Sequence, residues 1–262
     1  MAVARAKEKK REAGLDDITL VDTGHGELGV GTFHELSEEE LTARRVVAGM
    51  NDIRGSETFR LLRTKILSQM KSNGWKSIAV SSPHLGQGKS TIAANLAMAM
   101  SMEVTQSVLA VDIDLRRPNL HRAFGLEPEV GLSDVLKSEA ALAEALINLG
   151  SNRLTILPGR GTVSNSSEWL SGPAMQKLFS EFRTKNRSRY VIYDMPPILK
   201  SDDVLRTVKN FDCLLLVVED GKNTTDEIKQ SVETIRHTNF VGYVLNKADS
   251  FGQMIGSTSL PQ

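Results

Sequence analysis

Cysteine is almost absent: Cys213 is the single copy in 262 residues. One thiol inside an apolar run excludes a disulfide framework and a thiolate metal cluster, and it suits a reducing compartment. Long hydrophobic runs are missing as well, since none approaches the roughly 18 apolar residues of a spanning helix. The opening M-A-V-A-R-A-K-E-K-K-R-E lacks the apolar centre of a secretion signal. A cytoplasmic chain is therefore expected, at the inner face of the cell membrane only through a partner. Excess charge is absent too, with 32 Lys and Arg against 32 Asp and Glu. No bulk field draws the chain to nucleic acid, and none is expected as a partner. Tyrosine occurs three times, at Tyr190, Tyr193 and Tyr243, each inside an apolar run that reads as a core strand.

What is present centres on Ser77 to Met100, where Ile78, Ala79 and Val80 lead into a Gly-containing turn and then an alanine-rich segment. The order is strand, loop, helix. Backbone N–H groups and the positive end of the helix dipole converge at such a junction, and glycine lets a phosphate approach the backbone closely. Gly86, Gln87, Gly88, Lys89, Ser90 and Thr91 fit the end of the phosphate-loop pattern G-x-x-x-x-G-K-[ST], although Pro83 occupies its first glycine position. Lys89 supplies a cation for terminal phosphates, and the Ser90 hydroxyl suits Mg2+.

Downstream, Val108 to Val111 reads as a strand that ends in Asp112-Ile-Asp114. Carboxylates at i and i+2 of a strand share one face, and their mutual repulsion invites a cation, Mg2+, between them. Tyr190 to Tyr193 gives another strand ending in Asp194, followed by Met195, Pro196 and Pro197. An acid at that position beside a phosphate loop is expected to hold Mg2+ through water.

The remaining runs, Leu154 to Leu157, Phe211 to Val218 and Phe240 to Leu245, alternate with helical segments. This predicts an α/β fold: a doubly wound, mostly parallel sheet in three α/β/α layers, its last strands covered on both faces. Ser56 to Met70 reads as a helix capped by Ser56, with Glu57, Arg60 and Arg63 along one face, as an internal ion pair or as a docking surface for a neighbouring subunit. Gly131 to Leu136 reads as a surface excursion, and Pro158 to Ser167 as a mobile loop near the site.

Taken together, these pieces resemble the bacterial tyrosine kinases of capsular and exopolysaccharide synthesis (CpsD- and CapB-like), which share a P-loop class with the ParA/MinD partition ATPases. The residues that carry the resemblance are Glu57-x-x-Arg60-x-x-Arg63, Gly86 to Thr91, Asp112-x-Asp114-x-Arg116-Arg-Pro118, Gly131 to Leu136 and Asp194-Met-Pro-Pro197. The resemblance implies ATP and Mg2+ as cofactors, with Lys89, Ser90 and the loop amides on the nucleotide. It implies Asp112 as metal-associated base, Asp114 and Asp194 on the metal's water shell, and Asn246 on adenine. It further implies a homo-oligomeric ring through Glu57, Arg60 and Arg63, and activation in trans by a transmembrane polysaccharide co-polymerase. The domain plan is a flexible extension over 1–50, a P-loop kinase domain over 51–249 and a flexible tail over 250–262. Partition ATPases carry a lysine where this chain has His84, which places it on the kinase side. The tail lacks tyrosine, so autophosphorylation there is not expected. Two other functions fit the motifs: an ATP-driven assembly switch of the export machinery without protein phosphorylation, and a partition-type ATPase.

Overall fold

The computed structural model describes residues 31–50, 55–150, 153–184 and 188–248. The first thirty residues of the expected extension and the whole of the expected tail over 250–262 lie outside the described residues. An eight-stranded sheet forms the middle layer, in the order β1-β4-β5-β3-β6-β2-β7-β8. Its strands are β1 (Thr32–His34), β2 (Ser77–Ser81), β3 (Ser107–Asp112), β4 (Ile147–Leu149), β5 (Leu154–Leu157), β6 (Arg189–Asp194), β7 (Cys213–Glu219) and β8 (Asn239–Asn246). All neighbours pair parallel except β4 with β5.

Strand periodicity explains why the sheet is covered twice. Ile78, Val80, Val108, Ala110, Tyr190, Ile192, Leu215 and Val217 face one apolar cluster, and the alternate residues Ala79, Leu109, Val111, Val191, Tyr193, Leu214 and Leu216 face another. The first cluster is closed by α2 (Ser56–Asn73) through Ile66, Leu67 and Met70, and by α3 (Lys89–Ser101) through Ile92 and Leu96. The second is closed by α5 (Leu132–Leu136), α6 (Leu142–Ala145), α7 (Ser166–Ser171), α8 (Pro173–Thr184) and α9 (Asp203–Thr207), with α10 (Thr225–Thr234) beside β8. Two short helices, α1 (Glu38–Ala43) and α4 (Leu120–Ala123), complete the elements used below. This is the three-layer, mostly parallel architecture that the sequence predicted.

Four local expectations are corrected. Gly131 to Leu136 is no surface excursion: Leu132, Val135 and Leu136 are buried, because the short α5 turns its apolar side inward. The Pro158 to Ser167 loop is pinned, with Pro158 accepting from Leu132 N at 2.7 Å and Leu115 accepting from Val163 N at 2.9 Å. Ser56 opens α2 without capping it, since the cap is Gly55 at φ 103°, and the Ser56 hydroxyl donates to the Met50 carbonyl at 2.7 Å. Lastly, β8 is covered incompletely, because it ends the sheet and leaves Tyr243 55% exposed.

The body also starts earlier than residue 51. Thr32–His34 pairs with Ile147–Leu149, and Val46, Ala48 and Met50 are buried. Asn95 explains the attachment: its Oδ1 accepts from Val47 N and Ala48 N at 2.8 and 3.1 Å, and its Nδ2 donates to the Arg45 and Thr91 carbonyls at 2.8 and 2.9 Å. A fully buried amide thus satisfies a segment with no regular ladder of its own. Asn95→Ala leaves those groups unpaired in a dry site and is expected to cost about 2–4 kcal/mol in urea denaturation.

Candidate functional site

The phosphate loop leaves the buried strand β2 and turns into α3 through two glycines at positive φ, Gly86 at 77° and Gly88 at 92°. Gly88 is required twice over. Its φ disfavours an L side chain, and a Cβ there would collide with Asn246 Nδ2. That same Nδ2 donates to the Gln87 carbonyl at 2.8 Å, and Lys247 Nζ donates to the Gly86 carbonyl at 2.7 Å. Gln87 Oε1 accepts from His84 N at 2.8 Å, while the His84 ring lies 2.7 Å from Glu227 on α10. The loop is therefore held from both sides before any ligand arrives.

Register brings the acids to it. Strand β6 lies between β2 and β3, with Asp194 opposite both Val80 and Asp112. Beyond Asp194 the chain keeps company with the loop: Val80, Ser82 and Pro83 carbonyls accept from Met195, Ile198 and Leu199 amides at 3.0, 2.8 and 3.2 Å. The two prolines interrupt the donor row, and the Pro196 carbonyl accepts the Ser81 hydroxyl at 2.7 Å.

Into this junction points Lys89, its Nζ 2.9 Å from Asp114 Oδ2 and 3.3 Å from Asp194 Oδ1. Burial would strip the ammonium of its proton, but Asp194, Asp114 and Asp112 outweigh that and hold it charged, well above the usual lysine range. Asp112 accepts from the Asn119 and Leu120 amides at 2.8 and 2.9 Å through Oδ2, and from Asp114 N at 3.2 Å through Oδ1. Even so, burial first and the Asp194 charge second push its carboxyl up to about 8. Asp194 is raised as well, by burial, against the pull of Lys89.

In front of these groups opens a cleft of about 710 Å³, lined among others by Gly86, Gly88, Lys89, Ser90, Thr91 and Asp114. Its far wall carries Arg117, Asn119, Arg122, Gly161 and Thr162. Asp112 and Asp194 are wholly buried behind Lys89 and do not reach the surface of the cleft. Arg116 also lines the cleft and is held by Asp202 at 2.8 Å and Ser166 at 2.8 Å.

Residues 78–255 match the CobQ/CobB/MinD/ParA nucleotide binding domain. Over 193 residues the chain is 32% identical to Tyrosine-protein kinase YwqD of Bacillus subtilis, a match covering 73% of this chain and 80% of that protein. The chain belongs to the bacterial tyrosine-protein kinase family of capsule and exopolysaccharide synthesis. Putative tyrosine-protein kinase CapB of Staphylococcus aureus is 28% identical over 73% of this chain and 84% of its own length. Among solved structures, the kinase domain of Escherichia coli tyrosine kinase ETK superposes with a TM-score of 0.71 at 26% identity, over 89% of this chain and 96% of that one. The chimerical protein CapA2B2 does so at 0.72 and 29% identity, over 84% of this chain and 96% of that one.

The kinase-family chain is thus a nucleotide-binding P-loop protein, and its donors fit a hard divalent cation. Buried Asp194 Oδ2 has no hydrogen-bond partner, and the Ser90 hydroxyl and the Asp114 carboxylate, both oxygen donors, line the cleft. Among the described residues no group of three His, Cys, Asp or Glu side chains is placed to hold a metal ion by itself.

Sequence reading missed the loop's supports, Asn223, Glu227 and Lys247, because their meaning depends on which strand end lies beside the loop. Asn246, expected on adenine, contacts the loop backbone. On α2, Arg63 donates to the Ala99 carbonyl at 3.2 Å and lies 3.5 Å from Glu103, and Arg60 donates to the Met50 carbonyl at 3.2 Å, while Glu57 is exposed.

Asp112 sets a pH dependence. Its folded value of about 8 exceeds the ordinary 3.8, so between the two the folded state binds more protons than the unfolded one. Its ionisation therefore destabilises the fold, with full stability kept below the unfolded value. The ligand-free chain is expected to lose stability in urea as pH rises from about 4 to about 8. Asp112→Asn should flatten that slope.

Proposed function

We propose that the chain transfers the γ-phosphoryl group of Mg-ATP to tyrosine hydroxyls on protein, in control of polysaccharide synthesis and export. The observation that carries this reading is Lys89, charged and fixed between Asp114 and Asp194 at the mouth of a phosphate loop. Phosphoryl transfer asks chiefly for positioning and for neutralisation of charge, and the loop amides with Lys89 supply both. Ser90, with Asp114 and Asp194 through water, would hold Mg2+, which neutralises phosphate oxygens when bound. Asp112 would act as base only as the carboxylate, the form that a bound Mg2+ favours over the neutral acid it tends towards behind Lys89 in the ligand-free chain. Arg117 and Arg122 line the same cleft and add positive charge for the phosphates.

The partner is a membrane-embedded co-polymerase whose cytoplasmic segment docks on this chain. The CapA2B2 chimera, which joins parts of two proteins, supports a two-component system. In Putative tyrosine-protein kinase EpsB of Ralstonia nicotianae the matching region is 27% of a longer protein, which suits fusion of the same two components. Among the described residues no helix is long and apolar enough to cross a membrane. Copies associate through α2, where exposed Glu57 meets cations of a neighbour and Arg60 and Arg63 stiffen the helix from behind.

Lys89→Met is expected to lower kcat for a tyrosine copolymer by about 10²-fold or more in the presence of Mg-ATP. Unchanged turnover would overturn the reading. Glu57→Lys is expected to reduce the molar mass seen by light scattering while leaving the unfolding midpoint within about 0.5 kcal/mol of the parent, as for other surface changes.

A further inference from the structure

The whole sequence contains three tyrosines, so tyrosine modification of this chain has three candidate atoms. Two are withheld. Tyr190 is 1% exposed with the Lys76 ammonium 4.7 Å from its ring, and Tyr193 is 2% exposed, packed against Phe179 and Phe211. Burial drives the Tyr193 hydroxyl far above its usual range, so it is also a poor nucleophile.

Tyr243 differs in every respect. It is 55% exposed, and its hydroxyl has no hydrogen-bond partner among the described residues. The register between β7 and β8 slips at Leu214/Leu215, opposite Val241, with Gly242 at φ 145°. Such a bulge re-aims the side chains after it, here placing Phe240 and Tyr243 on one side with ring centroids 4.8 Å apart. Phe240 packs against the core and braces the tyrosine ring from below. β8 closes the sheet, so among the described residues its outer edge is an unpaired extended strand, the form in which an acceptor segment enters a cleft. The strand Asn239–Asn246 carries no carboxylate to repel a triphosphate.

We propose that Tyr243 is the acceptor of phosphoryl transfer between copies of this chain. The proposal rests on the kinase reading above, and ATP supplies the phosphoryl group. The phenolic oxygen of Tyr243 bonds to the γ-phosphorus, the bond from that phosphorus to the β–γ bridging oxygen breaks, ADP leaves with that oxygen, and the phenolic proton passes to the ionised Asp112 carboxylate of the donor copy. Transfer is between copies because β8 is pinned beside its own loop by Asn246 and Lys247 and cannot bring Tyr243 into its own cleft.

The test incubates the full chain with Mg-ATP and maps phosphate by mass spectrometry, with a glutamate–tyrosine copolymer assayed in parallel. Phosphate is expected on Tyr243 and not on Tyr190 or Tyr193. Tyr243→Phe should remove the label from the chain while copolymer turnover is unchanged, and the Lys89→Met chain should accept label at Tyr243 from an added wild-type donor. Copolymer labelling with no phosphate on Tyr243 overturns the inference and spares the kinase reading. Label on neither substrate overturns both.

Discussion

One ammonium group facing three buried carboxylates is the constraint on which the rest of the structure depends. Lys89 is 7% exposed, and Asp112, Asp114 and Asp194 are 0%, 2% and 0% exposed. Each buried charge costs several kcal/mol of hydration, and a single cation cannot offset three anions. The backbone lends what it can, through the three amides on Asp112. Even so, Asp194 keeps one oxygen unpartnered. Burial raises both Asp112 and Asp194, so the empty site carries negative charge at a cost to the fold's own stability, a cost that a bound cation would relieve.

The order of strands makes that concentration of charge possible. Had β2 and β3 been direct neighbours, Asp194 would have lain beyond reach of Lys89. Placing β6 between them sets Asp194 level with Asp112 on one side and Val80 on the other. All three strands run parallel, so their carboxyl ends open on one crevice. The Met-Pro-Pro segment then runs along the phosphate loop, its prolines chosen where no amide donor is required.

Much of this was legible because local pattern and long-range outcome agree. A Gly-rich turn between an apolar run and an alanine-rich helix has one common use, and acids at strand ends have few. Lys89, Asp112, Asp114 and Asp194 were named from spacing and resemblance, and the structure gathers them. What spacing could not show was pairing. β1 and β4 are three residues each and too short to leave a period. The attachment of residues 45–50 rests on one side chain, Asn95, far along the chain. Asn246 was placed on adenine by the resemblance alone, and no spacing in the chain could show that its amide donates to the Gln87 carbonyl of the loop.

Tyr243 shows the same limit from the other side. Phe240 to Leu245 is apolar enough to read as a doubly covered strand, and only sheet order reveals it as the last one. An end strand keeps its β-propensity while losing one neighbour and part of its cover. The bulge then decides which residue stands outward. Such an acceptor is carried rigidly, unlike one on a flexible tail, so its use depends on how copies meet and on how many are gathered. Clustering by a membrane partner would raise that local concentration without altering the cleft. Phosphorylation would in turn place about two negative charges on a bare strand edge, opposing further pairing there and making assembly and phosphoryl transfer mutually limiting.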